Sequence, residues 1–173
     1  MVWAQDRNGI LGAGGKMLWH VPADFKHFKA LTMGHPIVMG RKSWQALGSR
    51  PLPGRTNIVI TSNPNFAVHG GTRAHSLQEA LSTASSCEGG EKVWIAGGGQ
   101  IYQAALPVAD QIVVTQLDLD VSDKIEAFPE AVYAPQLNKS WRLDPDCSDT
   151  AWRLRSGDAR WKVLVYNKSY GEQ

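Results

Sequence analysis

Trp19-His20-Val21-Pro22-Ala23-Asp24-Phe25-Lys26-His27-Phe28 joins a loop to the start of a helix and places a carboxylate just inside it. Pro22 suits the first helical position, because its ring pre-sets φ and its missing N–H is not needed there. Asp24 then falls in the first turn, where the helix dipole favours a negative charge. Phe28 and Leu31 follow at helical spacing, on the same face as Asp24. A carboxylate on a face that should be buried costs energy unless something pairs with it. Two readings follow. The acid turns to solvent at the helix end, or it lies at the base of an apolar pocket and takes a ligand with hydrogen-bond donors.

The remaining composition narrows the class. The chain has 173 residues, enough for one domain with a sizeable core. Hydrophobic residues make up 43% and charged residues 20%, as in ordinary globular proteins. A net charge of +2 gives no argument for nucleic acid, though clustered cations can still serve a small polyanion. Cys87 and Cys147 allow one disulfide but form no framework and no metal motif, so no metal is expected. No apolar run is long enough to span a membrane, and no signal-peptide pattern opens the chain, so the cytoplasm is the expected location. Seven tryptophans are many for this length; Trp141, Trp152 and Trp161 read first as core and strand residues.

Strands and helices alternate along most of the chain. Val2 to Gln5 reads as the end of a strand, short enough to suggest that residues upstream of Met1 are absent. Asp6 to Val21, with Gly9, Gly12, Gly14 and Gly15, reads as a loop long enough to carry a function. A helix over Pro22–Met33 is closed by Gly34. Pro36–Gly40 is a buried-type strand, Arg41–Leu47 a short helix, and Asn57–Thr61 another apolar strand. A strand near Thr72–Ala74 precedes a helix that Ser76 and Glu79 cap and that ends near Ala84. Glu91–Ala96 is a strand, Gln100–Leu106 a helix and Gln111–Leu117 a strand. No helix is expected after that. Trp152–Arg155 and Trp161–Tyr166 pair as antiparallel strands across Ser156-Gly157-Asp158. The pattern implies an α/β sandwich with a mainly parallel sheet, an antiparallel C-terminal edge and flanking helices, in one domain without a linker.

Three strand ends carry phosphate-friendly groups: Gly40-Arg41-Lys42-Ser43, Thr61-Ser62 and Gly97-Gly98-Gly99. Each alone is ordinary: a solvated face, a pair of hydroxyls, a tight turn. None is a G-x-G-x-x-G fingerprint or a P-loop. Open α/β sheets bind ligands beyond the carboxyl ends of their strands. Together the three ends point to a nucleotide, and Arg41 with Lys42 matches an extra phosphate, which favours NADP over NAD.

Four motifs now stand in order: Trp19-His20-Val21-Pro22-Ala23-Asp24, Met39-Gly40-Arg41-Lys42-Ser43-Trp44, Pro51-Leu52-Pro53-Gly54-Arg55 and Ile95-Ala96-Gly97-Gly98-Gly99-Gln100-Ile101-Tyr102. Together they resemble the bacterial dihydrofolate reductases, from Val2 to Leu117 and less clearly beyond. The resemblance implies a single dihydrofolate-reductase-like domain over 1–173, working as a monomer. It implies NADPH as cofactor, and dihydrofolate and antifolate-like small molecules as ligands, with no nucleic acid and no membrane.

It also implies roles for individual residues. Asp24 would bond the 2-amino group and N3 of the pterin ring, and Thr115 the same carboxylate and the 2-amino group through water. Phe25, Phe28 and Leu47 would form apolar walls, with Val2 and Ala96 offering carbonyls near the pterin 4-position. Arg55 would pair with the glutamate α-carboxylate, with Arg50 at the same end. Ala4 and the run Ile10, Leu11, Gly12, Ala13, Gly14, Gly15 and Lys16 would border the nicotinamide, with Met17 and Trp19 closing over it. Arg41, Lys42, Ser43, Thr61 and Ser62 would hold the 2′-phosphate side. Gly97, Gly98, Gly99, Gln100, Ile101 and Tyr102 would cradle the pyrophosphate and nicotinamide. Hydride would pass to C6 of dihydrofolate and a proton to N5. A water admitted near Met17 and Trp19 would donate that proton, and Asp24 is not expected to touch N5.

Some positions depart from the family pattern. Leu18 stands where proline is usual, Ala96 replaces a larger apolar residue, Gln100 stands where arginine is common, and Ser49 is an extra residue before Arg50. Asp123–Pro129 matches the usual acid-x-x-Phe-Pro segment only loosely. Two competitors remain. A pyrimidine reductase of riboflavin synthesis shares the fold and a glycine-rich cofactor site, but needs neither Asp24 behind Trp19 nor Pro53-Gly54-Arg55. A regulatory nucleotide-binding protein would bind NADPH without turnover.

Overall fold

The structure, a computed structural model, describes residues 1–128 and 130–171. Its elements run β1 (Val2–Gln5), β2 (Ile10–Ala13), α1 (Pro22–Thr32), β3 (Ile37–Gly40), α2 (Arg41–Ala46), β4 (Asn57–Ile60) and β5 (Thr72–Ala74). Then come α3 (Leu77–Ser85), β6 (Trp94–Ile95), α4 (Gly99–Ala105), β7 (Gln111–Leu117) and α5 (Ser122–Ile125). The chain closes with β8 (Ala131–Tyr133), β9 (Trp141–Leu143), β10 (Arg153–Ser156) and β11 (Ala159–Lys168). They fall into two compact units, Met1–His27 with Leu106–Gln173, and Phe28–Ala105.

The second unit is all parallel. Its four strands lie in the order β5-β4-β3-β6. Every residue of Ile37–Gly40 is buried, as is Asn57–Val59, because a parallel sheet covered on both faces needs continuous apolar strands. Trp44 of α2 is fully buried in the same core. Ser76 caps α3 by accepting from Glu79 N at 3.1 Å, and Glu79 Oε2 accepts in return from His75 N at 2.7 Å.

The first unit mixes both senses. β1 runs parallel to β7, while β7–β11, β11–β10 and β11–β9 are antiparallel. β11 alternates: Ala159, Trp161, Val163 and Val165 are buried, and the residues between them are not. That is the mark of a strand with one covered face. The β10–β11 hairpin fixes the start of α1. Ala23 N donates to Ser156 Oγ at 3.0 Å, His20 N to Asp158 Oδ2 at 2.7 Å, and Asp158 N to His20 O at 2.9 Å. Gly157 has a φ of +58°, and a side chain there would collide with His20 O. Only glycine brings the turn this close to the backbone.

Three expectations need correction. Asp6 to Val21 is not all loop: Ile10–Ala13 is a strand paired with Ala131–Tyr133, and Ile10 is fully buried. Glycines at 12, 14 and 15 hid it, because they break the alternation by which a strand is read. The strand expected over Glu91–Ala96 shortens to Trp94–Ile95, since Glu91 and Lys92 are exposed. The stretch after Leu117 does contain a helix, the single turn α5, and two further strands, β8 and β9. Elements of three or four residues leave too short a pattern to read. Pro129 of the acid-x-x-Phe-Pro segment lies outside the described residues.

Candidate functional site

In the first unit Asp24 does not turn to solvent. The side chain is buried, with 8% of its surface exposed. Thr115, on the buried run of β7, donates from Oγ1 to Asp24 Oδ1 at 2.6 Å. Burial pushes the Asp24 carboxyl above the usual carboxylate range; the Thr115 hydrogen bond and the charge of His27 pull the other way. Among the described residues Asp24 enters no ion pair. A carboxylate with one short bond to a hydroxyl keeps acceptor capacity for a donor-rich ligand.

The other expected site residues of this unit are unequal in exposure. Trp19 and Val2 are buried, Ala4 is half-buried, and Phe25 and Met17 are more than two-fifths exposed. Ile10 and Ala13 are buried in β2, with Leu11 and Gly12 between them half-buried and Gly14, Gly15 and Lys16 at an exposed turn. His27 was not singled out from the sequence. It lies one helical turn after Asp24, half-buried, with its ring centroid 5.8 Å from that of Trp161. Its spacing from Asp24 was the available signal; the partners that give it meaning come from the far end of the chain.

The second unit gathers the strand-end residues. β3, β4 and β6 are neighbours and parallel, so their carboxyl ends, at Gly40, Ile60 and Ile95, share one edge. From β3 the chain steps to β4 and β5 on one side, then returns to β6 on the other. Such a reversal is where open α/β sheets bind ligands. Gly40 N donates to Gly97 O at 2.8 Å, and the Gly97–Gly98 peptide is cis. Gly97 has a φ of +106°, and a Cβ there would stand 3.2 Å from Ser43 Oγ and 3.3 Å from Tyr102 Oη. Gly98 is more open: a Cβ would meet only Ser43 Oγ, at 3.5 Å. The backbone is therefore presented bare at this edge, as close approach of a phosphate requires.

Around it, Thr61 is buried, while Ser62, Arg41 and Lys42 are exposed. Arg41 packs its guanidinium over the Phe66 ring, 4.3 Å from the centroid. Gly99 and Ile101 are half-buried, Gln100 is exposed, and the buried Tyr102 hydroxyl is pushed well above its ordinary range by desolvation. Elsewhere in this unit Arg55 donates from Nη1 to Thr32 Oγ1 and from Nε to Pro53 O, each at 3.0 Å. Burial lowers its pKa, and among the described residues no carboxylate lies within ion-pair distance of it. Phe28 and Ala96 are half-buried; Leu47 and Arg50 are exposed. Among the described residues no cluster of His, Cys, Asp and Glu could hold a metal, and both cysteines are free. Nor is any described helix long and apolar enough to cross a membrane.

Comparison with known proteins meets this geometry. The family model for dihydrofolate reductase matches residues 1–150. Dihydrofolate reductase of Mycobacterium tuberculosis is 36% identical over 171 residues, covering 98% of this chain and 97% of its own. That of Neisseria meningitidis is 45% identical over 132 residues, covering 76% and 78%. A solved structure of dihydrofolate reductase from Enterococcus faecalis, complexed with NADP(H) and RAB-propyl, superposes with a TM-score of 0.82 at 30% identity, over 96% of this chain and 94% of that one. A chain so matched along its length, with a buried helix-borne acid and glycine-lined parallel strand ends, belongs to the dihydrofolate reductase family.

Proposed function

We propose that this protein reduces 7,8-dihydrofolate to 5,6,7,8-tetrahydrofolate with NADPH, supporting one-carbon metabolism, and does so as a monomer in the cytoplasm. The observation that carries the reading is the buried Asp24 carboxylate, held by Thr115 and not ion-paired among the described residues.

Dihydrofolate offers matching donors. Asp24 accepts from the 2-amino group and N3 of the pterin, and Thr115 orients the carboxylate for it. Val2 and Ala96 offer carbonyls near the 4-position; Phe25, Phe28 and Leu47 supply apolar contact for the rings. Arg55 pairs with the glutamate α-carboxylate, a geometry suited to a guanidinium already fixed by Thr32 and Pro53, with Arg50 at the same end. The same chemistry admits antifolate-like molecules with a donor-bearing heterocycle.

NADPH, when bound, supplies the hydride that C6 receives. The bare backbone at Gly97 and Gly98 fits its pyrophosphate, with Gly99, Gln100, Ile101 and Tyr102 continuing the cradle. Arg41, Lys42, Ser43, Thr61 and Ser62 take the 2′-phosphate side. Ala4 and Ile10 to Lys16 border the nicotinamide, and Met17 and Trp19 close over it. The N5 proton comes from a water near Met17 and Trp19. The charge on Asp24 acts at a distance, favouring the ring form that accepts it.

The test follows NADPH oxidation by absorbance on adding dihydrofolate. Oxidation that depends on dihydrofolate is expected, and its absence in folded, NADPH-binding protein overturns the reading. Replacing Arg41 and Lys42 together by alanine is expected to weaken NADPH selectively, since only it carries the 2′-phosphate. Equal losses with NADH would remove these two residues from the cofactor site.

A further inference from the structure

His27 is a titratable group that the reaction as described does not use. It follows Asp24 by one helical turn, so the two side chains share a face of α1. Asp24 touches Thr115 of β7, and His27 packs its ring on Trp161 of β11. In the β7–β11 ladder Thr115 pairs with Val163 and Leu117 with Trp161. Thr115 and Trp161 therefore lie diagonally on one sheet face, and the helix sets its acid and its imidazole over adjacent strands.

The other charged groups facing His27 are Arg153 and Asp149. Arg153 lies opposite Trp161 in the β10–β11 pairing, its guanidinium 4.5 Å from the Trp161 ring centroid. It donates from Nε to Asp149 Oδ2 at 2.6 Å, and Val163 N donates to the same oxygen at 2.8 Å. The Asp149 charge is thus already matched. Among the described residues Asp24 is the facing carboxylate that enters no ion pair. His27 Nε2 is buried and, among the described residues, has no hydrogen-bond partner.

We infer that His27 is a positioning residue for the reduction: one helical turn from Asp24 and packed on Trp161, its imidazole, when protonated, sets a positive charge beside that carboxylate and favours its ionised form. This rests on the reading of Asp24 as the substrate-binding acid. Desolvation, the largest influence, resists the proton on His27 and Arg153 adds to that resistance; Asp24 and Asp149 favour it without overcoming them, so the imidazole takes up its proton below the ordinary histidine range. The sign is fixed by charge. A cation beside Asp24 favours its carboxylate, and by reciprocity the carboxylate favours the imidazolium.

The experiment combines kinetics with an NMR titration of the histidine rings. His27→Phe keeps an aromatic ring on Trp161; His27→Gln keeps polarity, so that one variant serves if the other does not fold. Both are expected to match wild type on the alkaline side and to show an acid limb of kcat/KM for dihydrofolate displaced to higher pH, with a severalfold loss along that limb, because the limb reports ionisation in the free enzyme. The His27 resonance, assigned by its loss in His27→Phe, is expected to titrate at lower pH in Asp24→Asn, with no ligand present. An unmoved acid limb, or an unmoved His27 titration, overturns the inference while leaving Asp24 in place. Near-normal turnover of Asp24→Asn overturns the assignment of Asp24 itself, and the inference falls with it.

Discussion

Asp24 and Asp118 belong to the same unit, one bonded to β7 and the other just past its end, yet the fold handles them in opposite ways. Asp118 is clamped. Arg7 donates to Oδ1 from Nε at 3.1 Å and also from Nη2, and Arg160 donates to Oδ2 from Nε at 3.0 Å and Nη2 at 2.5 Å. Those hydrogen bonds, Arg7's first, hold its carboxyl below the usual range. Asp24 is buried, bonded to the Thr115 hydroxyl and in no ion pair among the described residues, and burial raises it. A carboxylate that serves the fold is given its cations by the chain. One that is buried and left without them costs stability, and such a cost is retained where a ligand completes the site.

The largest expected effect is that of Asp24→Asn, which keeps shape and removes the charge. If Asp24 binds the pterin as proposed, losing that charge-assisted bond should cost on the order of 1.5–3 kcal/mol of transition-state stabilisation. That corresponds to a fall of roughly ten- to 150-fold in kcat/KM for dihydrofolate. The residual rate should improve as pH falls, when solution protonates the substrate. NADPH affinity should not change. Stability should move the other way. The Asp24 pKa is raised in the folded state, so its favourable contribution is present in acid and lost as pH rises through the folded value. At neutral pH the variant should therefore melt higher than wild type, with the gap closing in acid. A variant that is both less active and less stable at neutral pH would break the contrast.

Much of this was readable in the chain, for physical reasons. Ile37–Gly40 and Asn57–Ile60 announce themselves because burial on both faces needs unbroken apolar runs. Ser76 and Glu79 mark a helix start because capping is local chemistry. Gly97 stands out because few other residues suit its φ of +106°. What was hidden depends on distance along the chain. The Ser156 and Asp158 caps on the start of α1 come from more than 130 residues away. The bond between Thr115 and Asp24 was expected from family resemblance, since no local pattern links positions 91 apart. Arg7, Arg160 and Asp118 form a clamp that no window of sequence contains. β2 was lost to its glycines.

Thr115→Val sharpens the contrast with a smaller effect. It deletes the hydroxyl that donates to Asp24 Oδ1 and fills nearly the same space. The hydrogen bond lowers the Asp24 pKa against burial, so its removal should raise that pKa further. A cost of about 1.5 kcal/mol, the lower end for a bond to a charged group, predicts roughly a tenfold loss in kcat/KM at neutral pH. The loss should deepen towards acid, where the unassisted carboxylate protonates first. A pH profile parallel to that of wild type would show that Thr115 packs beside Asp24 without governing its charge.

The smallest effect is expected at Asp118, where the contrast predicts no catalytic change at all. Asp118→Asn removes the charge that Arg7 and Arg160 hold, but the amide oxygen can still accept. Both arginines are more than half exposed, so water and salt replace much of what is lost. The wild-type pKa is depressed, so the contribution of Asp118 exists above its unfolded value and disappears as pH falls through the folded one. Thermal melts should therefore show a modest deficit at neutral pH that shrinks in acid and in high salt. Rates with dihydrofolate should match wild type throughout. If Asp118→Asn instead lost activity at constant stability, the clamp would be transmitting to Thr115 along β7, and the division between a carboxylate for the fold and a carboxylate for the ligand would fail.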